Sequence, residues 1–127
     1  MTLQRLNEHL NMVIQLQEAT AILSSLQVVK APNYDGMPHS HQVSRSTENI
    51  AFALRRQMEA VKVLEKRVQQ SEKEVRQFID SIEDPRTQII FDLRFLCGLK
   101  WDAVASMIGG GNTTEAVKSC CYRYLGE

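Results

Sequence analysis

From Thr2 to Gln27 apolar residues recur at Leu3, Leu6, Leu10, Val13, Leu16, Leu23 and Leu26. Steps of three and four draw one stripe along a helix, and no glycine or proline breaks it. The stretch VVKAPNYDGMPHSHQVSRS then interrupts the pattern, with Pro32, Asp35-Gly36 and Pro38 as turn signals. At about 19 residues it is long for a bare connection, and loops of that length often carry function. Helical signal returns at Ser46-Thr47-Glu48 and runs to Ile82. Leu54, Val61, Val68, Val75 and Ile82 fall seven apart, while the positions three further on read Gln57, Leu64, Ser71 and Phe78. One seam line is apolar throughout and the other only half so, as at the edge of a coiled coil. The charges around it suit a solvated face with i,i+4 pairs such as Glu72 with Arg76.

The two stripes predict a helical hairpin, an arm over residues 1–83 with its loop at 28–46. Helices of about 26 and 36 residues span roughly 39 and 54 Å at 1.5 Å per residue, so they are unequal. The last turns of the second helix, bearing Val75, Phe78, Ile79 and Ile82, outrun the first and need a cover. Either the C-terminal part of the chain or a second protomer must supply it. Leu54, Val61, Leu64, Val68, Val75, Phe78 and Ile82 are therefore assigned to a hairpin or oligomer seam. A two-helix hairpin alone buries little surface, so a homo-oligomer is expected, with a dimer favoured.

Asp84-Pro85 punctuates the chain as a capping residue followed by proline at the first helical position. Three short helices fit residues 84–127. The first, about Pro85 to Cys97, turns Ile89, Ile90, Leu93 and Leu96 inward and ends near Gly98. The second, about Lys100 to Ile108, turns in Trp101, Val104, Ala105 and Ile108. The third follows Gly109-Gly110-Gly111, with Asn112 as N-cap and Glu115 at capping-box spacing. Its inward face is read as Ala116, Val117, Cys120 or Cys121, and Tyr124 with Leu125. Two short helices joined by a glycine turn and supported by a third make a helix-turn-helix. The fold class expected is all-α: a long, coiled-coil-like hairpin followed by a three-helix helix-turn-helix unit.

Composition narrows the chemistry. The 127 residues carry 15 basic and 15 acidic side chains, ten of each before residue 84 and five of each after it. No bulk basic field points to nucleic acid, so any such binding must use a local patch. Cys97, Cys120 and Cys121 are odd in number and lack CxxC spacing, which reads as buried thiols in a reducing cytoplasm. No secretory signal or membrane-length apolar run stands out. GGGNTT lacks the lysine and spacing of a phosphate-binding loop. His9, His39 and His41 stand at no ligand spacing from the cysteines, although His39-Ser40-His41 could catch a metal weakly. The carboxylates are spread along amphipathic helices rather than gathered for catalysis. No enzyme activity, cofactor or metal is expected.

LRFLCGLKWDAVASMIG followed by TEAVKS resembles region four of sigma-70-type factors. With the upstream helices and the loop PNYDGMPHSH, the chain looks like the ArpU/RinA-like phage and prophage regulators. The specific match covers residues 84–125, and the turn between Gly109 and Val117 is two residues longer than the family pattern. Where arginine and histidine often follow in sigma sequences, this chain has CCYRY, leaving Lys118 and Arg123 as the cations. The resemblance implies a DNA-binding transcriptional regulator in a bacterial host, nucleoid-associated in the cytoplasm, with RNA polymerase as a further contact.

In a helix-turn-helix the first half of the second helix enters the major groove. With Val117 and Cys121 inward, a recognition helix of about 113–125 presents Thr113, Thr114, Glu115, Lys118, Ser119 and Tyr122 to double-stranded DNA. Arg86, Lys100 and Arg123 suit phosphates. The alternative is an all-helical adaptor or phage assembly component that docks protein and does not bind DNA.

Overall fold

The structure, a computed structural model, describes the backbone of residues 1–30 and 41–126 and the side chains of residues 1–28 and 46–126. Every regular element among them is helical: α1 (Leu3–Lys30), α2 (His41–Asp80), α3 (Pro85–Phe91), a π-helical segment (Asp92–Leu96), α4 (Trp101–Ile108) and α5 (Thr114–Leu125). The fold is all-α. No helix is long and apolar enough to cross a membrane, among the described residues.

Both long helices exceed the lengths expected from the stripes. Thr2 opens α1, its hydroxyl accepting from the Arg5 amide at 3.2 Å. The helix then continues through residues 28–30, because no breaker precedes Pro32, whose ring disfavours helix at the residue before it. α2 starts at His41 rather than Ser46, since no proline lies between Pro38 and Ser46 and polar Ser44 and Ser46 are tolerated in an end turn. The expected loop at 28–46 is shorter by these turns. Pro32, Asp35-Gly36, Pro38 and His39 lie outside the described residues, as do the side chains of Lys30 and His41.

The chain forms two compact units, Met1–Ile14 with Arg67–Glu127, and Gln15–Lys66. In the first, Leu6 and Leu10 of α1 and Val75, Ile79 and Ile82 share one core with Ile90, Phe91, Phe95, Val104, Ala105, Val117 and Cys121. This answers the question of cover: residues beyond Asp84 bury the end of the α2 stripe, with Phe78 packed beside them. The Gln88 side-chain amide adds a tie, donating to the Ile79 carbonyl at 3.1 Å. Each fully buried Leu, Ile or Phe contributes about 1.5–3 kcal/mol of transfer free energy, so this shared core dominates the unit's stability.

α3 begins as its sequence predicts. Asp84 caps it, Oδ2 accepting from the Thr87 amide at 3.2 Å and hydroxyl at 2.7 Å. Those bonds, the hydroxyl's first, hold the Asp84 carboxyl below its ordinary pKa. The inward set then departs from expectation. Ile89 is exposed, whereas Phe91 and Phe95 are fully buried. The buried set Thr87, Ile90, Phe91 and Phe95 is spaced three and four apart, so the helical period holds and the opposite face turns inward. The π-helical segment follows, the Cys97 amide reaching back to the Asp92 carbonyl at 3.0 Å, an i to i−5 bond. The expectation chose the aliphatic face, and the core takes the aromatic one.

The polar gaps in the α2 seam are filled from α1. In the second unit the Gln57 amide donates to the Ala19 carbonyl at 2.8 Å. In the first, Ser71 Oγ lies 2.8 Å from Nδ1 of the fully buried His9 and accepts from Arg5 Nη2 at 2.9 Å. The same Nη2 pairs with Glu74 Oε2 at 3.0 Å. Buried polar residues at seam positions fix register, here placing residue 9 beside residue 71. The expected pair on the outer face is present as well, Arg76 Nη2 standing 2.7 Å from Glu72 Oε1.

His9 makes folding sensitive to acid. Burial, then the Arg5 guanidinium, lowers its pKa beneath the ordinary 6.5, against the upward pull of Glu72. The unfolded chain therefore takes up a proton that the native chain refuses. Native stability rises with pH through the window below 6.5 and levels above it. On acidification below 6.5 the urea midpoint is expected to fall. A His9→Gln variant is expected to lose this part of the fall, which comparing the two proteins' midpoints between about pH 5 and pH 8 checks.

Candidate functional site

The candidate site is α5, the turn before it, and the cations around them. Gly109, Gly110 and Gly111 have φ of 69, 65 and 76°. Gly109 combines its φ with ψ −156°, a region open essentially to glycine alone. Three consecutive left-handed residues explain the glycine run: the chain reverses there without side-chain clash. Asn112 closes the turn, its side-chain amide donating to the Gly109 carbonyl at 2.6 Å while Oδ1 accepts from Arg86.

Asn112 is thus committed to the turn, and the expected N-cap moves one residue on. Thr113 caps α5, its hydroxyl accepting from the Ala116 amide at 3.1 Å. The capping box expected between Asn112 and Glu115 is replaced by this single bond. Glu115 instead lies in the first turn of α5, where a carboxylate suits the positive end of the helix dipole.

The outward face of α5 differs in part from expectation. Val117 and Cys121 are fully buried and Cys120 half-buried, but Ala116, expected inward, is exposed. Thr113, Glu115, Ser119 and Arg123 are exposed. Thr114, Lys118 and Tyr122 are only half-buried rather than fully outward. The Thr114 hydroxyl donates to Asp102 Oδ1 of α4 at 2.8 Å. The Tyr122 ring stands edge-on to Trp101 of α4, centroids 6.3 Å apart and planes at 84°. These three residues are four apart, so they form one row, and Lys118 lies between two anchors to α4. Their position follows from the Thr113 cap and the buried Val117 and Cys121, which rotate the 114–118–122 row toward the neighbouring helix. Tyr124, expected inward, is 44% exposed yet keeps one edge on Phe78 and Phe91.

Of the expected phosphate contacts, Lys100 and Arg123 are exposed, and Arg86 is exposed with its guanidinium on Asn112. Arg123 sits in the last turn of α5 and lines an open depression of about 240 Å³ with Thr87, Cys120 and Tyr124. One cation escaped assignment from the sequence. Arg94 stacks over Trp101, its guanidinium carbon 4.8 Å from the ring centroid, and Nη1 donates to the Leu99 carbonyl at 2.9 Å. Burial pulls its pKa below the ordinary arginine value. Arg94 thereby braces the start of α4 from the π-helical segment. The adjacency of Arg94 and Phe95 before Trp101 was the only signal for it.

The cysteines resolve as environment dictates. Burial first, then the neighbouring Cys120, pushes the Cys121 thiol up to about 12. It is protonated at neutral pH and packs as a small hydrophobe. Cys120 lies 3.8 Å through sulfur from the Thr87 hydroxyl, while Cys97 is exposed rather than buried. No group of three or more His, Cys, Asp or Glu is placed to hold a metal ion, among the described residues.

No protein-family model matches the chain, and neither a curated protein nor a solved structure matches it. The class that the structure defines, among the described residues, is an all-α protein.

Proposed function

We propose that this chain is a sequence-specific, DNA-binding transcriptional regulator of phage or prophage type. In this reading α4 and α5 act as a helix-turn-helix. One observation carries it: two short helices joined by a three-glycine turn, within the motif LRFLCGLKWDAVASMIG–TEAVKS, with cations around the second. Glu115, Ser119 and the exposed side of the 114–118–122 row face the major groove. Arg86, Lys100 and Arg123 meet phosphates, as does Lys118 where it does not reach a base edge. The Asn112 bond of Arg86 is at the surface, and exchange for a phosphate costs little. The protein works in the cytoplasm of a bacterial host, with RNA polymerase as a further contact.

Four cations give one copy weak binding, with a salt slope of roughly −0.9 per phosphate neutralised. A homodimer doubles the contact set and fixes half-site spacing, so the long helices supply valency. The competing reading is a protein-docking adaptor or assembly component without DNA affinity. It draws on the zero net charge and on Thr114 and Tyr122 being engaged by α4. Binding to random duplex DNA separates them: the regulator loses affinity steeply as salt rises, and the adaptor shows no binding even at low salt.

A further inference from the structure

At about 100° per residue α5 divides into three faces. Val117 and Cys121 point into the core, and the row of Thr114, Lys118 and Tyr122 is anchored to α4 at both ends. Glu115, Ala116, Ser119 and Arg123 fall within roughly a 100° arc on the side away from the core, and all four are exposed. Ala116, expected inward from the sequence, thereby brings a bare methyl group to this surface.

The polar groups just before this arc are engaged by the fold. The Thr113 hydroxyl caps the helix, the Thr114 hydroxyl is on Asp102, and the Asn112 side chain is on Gly109 and Arg86. Glu115 and Ser119 differ: among the described residues, neither side chain has a hydrogen-bond or ion-pair partner. With the cap on Thr113, the Glu115 carboxylate is left open to a ligand.

In the proposed function, on which this assignment rests, that arc meets the major groove. Guanine is read best by arginine or lysine, and adenine by asparagine or glutamine. The arc holds none of these before Arg123. A carboxylate placed there repels phosphate, so it is favourable only against a base donor. The groove offers two, the cytosine 4-amino and adenine 6-amino groups, and the adenine amine sits beside N7, an acceptor that repels the carboxylate. Cytosine is the better partner. The counterpart of the Ala116 methyl is the thymine 5-methyl group. Successive Cα atoms lie about 3.8 Å apart and successive base pairs about 3.4 Å, so adjacent side chains meet neighbouring pairs. Ser119 both donates and accepts, and it discriminates little.

We propose that Glu115 and Ala116 select neighbouring C·G and T·A pairs in each half-site. Glu115 accepts from the cytosine 4-amino group, and Ala116 packs on the thymine 5-methyl group.

Competition binding with the duplex recovered from a random pool tests this, each thymine being replaced in turn by deoxyuridine. Uracil pairs as thymine does and lacks only the methyl group. One thymine per half-site is expected to lose about fourfold in affinity, the effect of burying one methyl group, and its neighbour is expected to be a C·G pair. Ala116→Gly is expected to bind the thymine and uracil duplexes equally. A weakened helix would lower both affinities alike, so their ratio stays readable, and Ala116→Ser repeats the comparison with less strain on the helix. Glu115→Gln is expected to move the preference at its pair from cytosine to adenine by roughly tenfold, since an amide both donates and accepts. A recovered site without adjoining C·G and T·A pairs overturns the proposal. So does a wild type indifferent to uracil at every thymine, an Ala116→Gly variant that keeps the thymine preference, or a Glu115→Gln variant that still selects cytosine. Each of these leaves the DNA reading standing, because the duplex was recovered by binding. A pool with no sequence enriched removes the regulator and this assignment together.

Discussion

Phe91→Ala is expected to cost about 3–5 kcal/mol of folding stability, the range for a large ring removed from a packed core. The ring is completely buried. It meets Phe78 of α2 edge-on at 5.6 Å and 70°, Tyr124 of α5 at 5.7 Å and 70°, and Phe95 at 5.7 Å. One side chain therefore joins the end of the long helix pair to both ends of the C-terminal segment. These neighbours belong to different helices and cannot all move into the cavity together, which puts the cost toward the upper part of the range. Guanidinium unfolding followed by Trp101 fluorescence measures it, since Trp101 stands edge-on to Phe95 at 6.4 Å. Ile89→Ala, the exposed neighbour that helical periodicity placed inside, is expected to cost under about 1 kcal/mol. Equal losses for the two would contradict the face that α3 turns inward.

Lys118→Glu is expected to lower duplex DNA affinity tenfold or more, about 1.4 kcal/mol or above. Lys118 is the cation nearest the middle of α5, on the row that Thr114 and Tyr122 fasten to α4. Its ammonium is therefore presented by a rigid element rather than by a loop. Reversal removes one attraction and places a carboxylate against phosphate. The slope of log K against log salt should fall by about 0.9 with the lost contact. Lys66→Glu makes the same change in net charge at an exposed site in the other compact unit, and is expected to have little effect. If the two variants weaken binding equally, net charge rather than α5 is responsible.

The helical stripes were legible because periodicity survives any detail of packing: Leu54, Val61, Val75 and Ile82 are buried as their spacing predicts. Asp84 was legible because capping is local, needing only a carboxylate three residues ahead of Thr87. What escaped was set by geometry that a fixed period does not contain. Over residues 85–97 two faces share the helical period, and the core took the one bearing Phe91 and Phe95 rather than the one bearing Ile89. The cap moved from Asn112 to Thr113 because left-handed glycines turned the Asn112 side chain back onto Gly109. Ser71 and Gln57 read as interruptions of a seam, and their partners lie on α1, 62 and 38 residues away. The side chains that face outward on α5 were legible only in part. Glu115 and Ser119 stand as expected, while Thr114 and Tyr122 depend on where α4 lies, which no local pattern specifies.

The most direct test of a sequence-reading regulator is selection of bound sequences from a random duplex pool, carried out with the wild type and with Lys118→Ala. The account predicts that the wild type enriches a palindrome with half-sites a whole number of helical turns apart, and that Lys118→Ala relaxes or abolishes the enrichment. A pool recovered from the wild type with no sequence above its input frequency would contradict it.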